Sequence, residues 1–75
     1  MNSLRTLRNK AGLSVTELAD AIGVRPVTVY AWENGQNRLQ IEPAKAVILA
    51  LRSAGVVATL DELFASPDKI EQKAA

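Results

Sequence analysis

Residues 14–35 read SVTELADAIGVRPVTVYAWENG, two capped helices joined at a glycine turn. Ser14 and Glu17 have the S-x-x-E spacing of a capping box, in which each side chain satisfies a backbone N–H left orphaned at a helix start. Leu13 and Leu18 stand at the flanking staple positions. Leu18, Ala19 and Ile22 form one apolar stripe, and Gly23 follows as a residue that takes positive φ without a steric penalty. Pro26 brings a preset φ to the first position of the next helix, and Val24 is spaced to staple onto Val29. Val29 and Trp32, three apart, point back at the preceding helix, which makes Trp32 a core residue rather than a stacking platform. Ala19 is small where the two helices cross, and Gly35 stops the second of them after Asn34. The pattern predicts a helix-turn-helix.

Three more helices surround this pair, and no strand pattern competes with them. The first runs from about Leu4 to Ala11 behind a Ser3 or Asn2 cap, with Leu4, Leu7 and Ala11 on one side. Residues 35–42, GQNRLQIE, make a polar connection interrupted by Leu39 and Ile41. The fourth helix begins near Pro43, a first-turn proline, and ends at about Ala54 before Gly55. The fifth spans about Thr59 to Ala65, with Thr59 and Glu62 repeating the capping-box spacing. The expected architecture is all-α: a compact five-helix domain over residues 1–65, followed by a tail, residues 66–75, expected to be mobile. The segment AKAVILALRSA, Ala44 to Ala54, is apolar on nearly all sides. It is either the central helix of the domain, or it spares a face that forms a dimer contact with Val56, Val57 and Leu60.

The chain has 75 residues, room for one domain, and at this size folding buries only about 60% of the unfolded chain's surface. Modest stability is expected. With no Cys and no His there is no disulfide and no conventional zinc site, and neither metal nor cofactor is expected. No signal-peptide pattern opens the chain and no apolar run approaches a membrane span, so a cytoplasmic protein without a membrane partner is expected. The net charge of +1 advertises nucleic acid only weakly, but its distribution says more. Residues 1–52 carry seven Lys or Arg against four Asp or Glu, a surplus of three positives. Residues 53–75 carry two against four, a surplus of two negatives. The positive part holds the helix-turn-helix.

Leu18-Ala19, Ile22-Gly23-Val24, Val29, Trp32-Glu33 and Asn34-Gly35 resemble the helix-turn-helix of the phage Cro and repressor family, which includes many xenobiotic-response-element regulators. The likeness extends to Leu4, Leu7, Arg8, Gly12-Leu13-Ser14 and Leu60-Asp61-Glu62-Leu63-Phe64, roughly residues 3 to 64. It implies a lambda-repressor-like fold and a sequence-specific regulator that binds an inverted-repeat operator in double-stranded DNA as a homodimer. It also implies that Pro26, Val27 and Ala31 occupy the positions through which the family reads base edges. The family more often has Gln, Ser or Arg there, whereas apolar residues offer contact with thymine methyl groups. Polar readout then falls to Thr28 and to Arg25 and Tyr30 beside it. Arg25 is locally unfavourable at a helix N-cap, adding positive charge at the positive end of the dipole, which marks it for a phosphate or guanine contact. Tyr30 either packs on the edge of the core or donates to a phosphate. Asn34 matches a phosphate-contacting position, although a plain helix end reads the same. Gln36, Asn37 and Arg38 follow it along the same strand, and Ser14 and Thr16 meet the backbone across the groove from the start of their helix. Arg8 and Glu33 match a structural salt bridge.

No catalytic residue is expected: the chain lacks His, Cys and any Gly-rich phosphate loop, its acidic residues are scattered or assigned to caps and bridges, and no small-molecule substrate is implied. The rival to the DNA reading is a protein-interaction module, such as an antitoxin, on the same fold.

Overall fold

In a computed structural model, which describes residues 2–65, the capping box is formed. Ser14 Oγ accepts the Glu17 N–H at 3.0 Å, and the Glu17 carboxylate accepts the Ser14 N–H at 2.8 Å. The helix it starts, α2 (Val15–Ile22), ends at Gly23 with φ 74°, where the Val24 N–H reaches back to the Ala19 carbonyl at 3.0 Å. Arg25 then occupies the N-cap of α3 (Pro26–Asn34) without a side-chain cap bond, and Gly35 ends α3 with φ 78°. Before this pair comes α1 (Leu4–Lys10), and after it come α4 (Ile41–Ser53) and α5 (Leu60–Phe64). Thr59 and Glu62 close a second capping box at α5. All regular structure among the described residues is helical. The tail expected over residues 66–75 lies outside them.

One helix start differs from expectation. α4 begins at Ile41, two residues before Pro43, so the connection shortens to residues 35–40. Pro43 is tolerated because the first i to i−4 bond runs from the Ala44 N–H to the Gln40 carbonyl at 3.0 Å, and the proline falls among positions whose N–H would have no helical partner. At α1, Asn2 supplies the side-chain acceptor, its Oδ1 taking the Leu4 N–H at 3.1 Å. The buried Ser3 instead ties the chain start to α5: its N–H donates to the Leu63 carbonyl at 2.9 Å and its hydroxyl to the Ala65 carbonyl.

The core is drawn from every helix: Leu4 and Leu7, Leu18 and Ala19, Val29 and Trp32, Ala44, Val47 and Leu51, and Leu63. Leu39 is buried too and pins the 35–40 connection to it. α4 presents Val47 and Leu51 inward but leaves Leu49 exposed, while Val56 and Leu60 beyond it are half-buried against the core and Val57 is 76% exposed. The Arg8–Glu33 pair is present and sits deeper than a surface bridge. Arg8 Nε lies 2.7 Å from Glu33 Oε2, with side chains 12% and 1% exposed, and Arg8 Nη1 also donates to the Leu13 carbonyl at 2.9 Å. The hydrogen bond to Glu33 pushes the Arg8 pKa further up, against the opposing effect of burial. A second arginine, Arg5, reaches the same carboxylate at 3.2 Å from an exposed position.

Removing Arg8 would leave a buried carboxylate with only a half-solvated partner. Arg8→Ala should lower unfolding free energy by about 3 kcal/mol in denaturant titrations, whereas Arg5→Ala should cost no more than about 1 kcal/mol.

The Ser14 N–H and, after it, the Ser14 hydroxyl hold the Glu17 carboxyl below its usual pKa. A carboxyl depressed in the folded state adds stability above its ordinary titration range and loses it as pH falls through the folded-state value. Glu17→Gln should therefore flatten the acid side of the stability–pH profile, measured by thermal unfolding between neutral and acid pH.

Candidate nucleic-acid interface

α3 has two unlike faces. Val29, Trp32 and Glu33 turn inward, while Arg25, Pro26, Val27, Tyr30 and Asn34 form an outward stripe at helical spacing. On that stripe Val27 is 65% exposed and Tyr30 52% exposed. Thr28 is half-buried beside them. Ala31, expected with this set, is much less exposed than its neighbours on the stripe, at 7%. After Gly35 the chain doubles back, and the N–H groups of Gln36 and Asn37 donate to the Ala31 carbonyl at 3.0 and 3.2 Å.

Ser14 and Thr16 are exposed at the start of α2. The Ser14 oxygen accepts the Glu17 N–H within the capping box. Asn34 closes α3 on the surface, and Gln36, Asn37 and Arg38 are exposed in the connection that follows. The exposed set therefore comprises the first turn of α2, the outer stripe of α3 and the chain leaving it. It is rich in hydrogen-bond donors and carries the cations Arg25 and Arg38 with no acidic side chain on the α3 stripe.

Sequence reasoning missed Arg5. Its guanidinium bridges Glu33 and Asn34, with Nε 3.2 Å from Glu33 Oε1 and Nη2 3.3 Å from Asn34 Oδ1. The available signal was its i, i+3 spacing from Arg8, which sets the two arginines side by side on α1.

Among the described residues no group of acidic side chains is placed to hold a metal ion, and no helix is long and apolar enough to cross a membrane. Comparison with curated proteins yields no match, and comparison with solved structures yields none either. The profile of a helix-turn-helix family matches residues 4–54, more than half of the chain and all of α1 to α4. The five-helix architecture and the exposed second helix of the motif agree with it. The chain belongs to the helix-turn-helix family of Cro/repressor type, and is a DNA-binding regulator.

Proposed function

We propose that this protein is a repressor of the Cro or restriction-controller kind, acting in the cytoplasm and binding an inverted-repeat operator as a homodimer. The observation that carries the reading is the outer stripe of α3. Val27 is 65% exposed and Tyr30 52% exposed on a helix whose other face is fully used in packing, and the uncapped start of that helix is given to an arginine. A stable small domain gains nothing from these choices, and local conflict of this kind marks functional positions. In a major groove, Pro26 and Val27 face thymine methyl groups, Thr28 donates or accepts at a base edge, and Arg25 and Tyr30 reach the flanking phosphates. Ser14 and Thr16 approach the backbone on one side of the groove, and Asn34, Gln36, Asn37 and Arg38 on the other.

The dimer contact proposed runs through Val57, which is 76% exposed, backed by Val56 and Leu60. The apolar stripe also favours a second reading, an interaction module such as an antitoxin whose Val27 and Tyr30 meet a protein.

Selection from a random duplex pool, followed by footprinting, should recover an inverted repeat with half-site centres about 34–36 Å apart, the spacing at which two recognition helices enter successive major grooves. Recovery of no duplex, or of isolated half-sites alone, would favour the interaction module. Val57→Asp should sediment as a monomer with helical content intact and lose the repeat.

On the recovered duplex, Arg25→Ala should weaken binding by about 1–3 kcal/mol with a reduced salt slope, as a phosphate contact does. Val27→Ala should leave the slope unchanged and lower discrimination at one thymine by about 1 kcal/mol.

A further inference from the structure

Arg8 already engages both oxygens of the Glu33 carboxylate, with Nε 2.7 Å from Oε2 and Nη2 3.2 Å from Oε1. Arg5 is a second guanidinium on the same group, yet its side chain is 59% exposed where that of Arg8 is 12% exposed. One well-placed arginine is enough to neutralise one buried carboxylate. The fork of Arg5 has another engagement: Nη2 donates to Asn34 Oδ1 at 3.3 Å. A guanidinium carries donors only, so the amide atom that meets it is the oxygen. The Asn34 amide is thereby held with Oδ1 toward α1 and the two N–H groups of Nδ2 on its other side, on an exposed residue at the end of α3.

We infer that Arg5 is a positioning residue for DNA binding: by bridging Glu33 and Asn34 it fixes the Asn34 amide so that Nδ2 faces a backbone phosphate. The inference rests on the operator reading above. Released from Arg5, the amide turns about a broad two-fold torsion and in one of its two orientations sets its carbonyl oxygen against the phosphate oxygens. Lysine at position 5 would keep the charge but has no planar fork to span two acceptors.

The test uses the full chain and the duplex recovered by selection. Arg5→Lys should raise Kd about five- to tenfold, near the worth of one hydrogen bond to a charged group at a wet surface, with the salt slope unchanged. Asn34→Ala should lose a similar factor, and Arg5→Lys added to Asn34→Ala should lose nothing more, since the two residues act as one unit. Thermal unfolding of each variant should stay near that of the parent because Arg8 still pairs with Glu33. Wild-type affinity in Arg5→Lys would overturn the assignment by showing that charge alone matters. An equal loss with and without Asn34 would overturn it by showing an independent role. If the parent chain recovers no duplex, the operator reading falls and this inference with it. A recovered duplex without coupling between the two positions removes the Arg5 assignment alone.

Discussion

The orientation of α3 depends on a buried negative charge. The side chain of Glu33 is 1% exposed, burying a charge is costly unless it is paired, and Arg8 on α1 meets it through two nitrogens. The same Arg8 donates to the carbonyl of Leu13, just ahead of the α2 capping box. One side chain thus joins α1, the end of α3 and the approach to α2. Such a pair adds little net stability against an apolar replacement of equal volume, but it penalises every arrangement in which the partners separate. It acts as a registry device in a domain that has no cysteine and hence no disulfide to fix its geometry.

Around that pair the helix ends are set by local chemistry. Ser14 with Glu17 and Thr59 with Glu62 begin two helices, and the left-handed conformations of Gly23 and Gly35 close the two helices of the motif. These devices decide where α2 and α3 start and stop, and hence which residues of α3 lie in its first turns. The packing of Val29 and Trp32 then decides which side of α3 remains outside.

The outer surface of α3 is apolar at Pro26 and Val27, with the exposed cations Arg25 before it and Arg38 after it. In the proposed operator complex, attraction to phosphate comes from these edges rather than from the centre of the stripe. A division of this kind lets charge govern affinity while methyl contacts carry a gentler discrimination.

The sequence by itself determined the all-helical architecture, the two capping boxes, the glycine ends of α2 and α3, the inward Trp32 and the Arg8–Glu33 pair. Caps and glycine ends act over three or four residues, so their outcome is written in adjacent letters, and the salt bridge was legible through resemblance. Tertiary structure alone decided the rest. Ala31 is only 7% exposed, and spacing along α3 carries no record of how much of each position the rest of the fold covers. The early start of α4 at Ile41 reflects that proline is harmless throughout a first turn, so its position marks a helix start only within that turn. Ser3 reaches Leu63 and Ala65, and Arg5 reaches Glu33 and Asn34, across separations of 28 residues or more. Partnerships at that distance follow from how the helices pack, which no local pattern in a single sequence records.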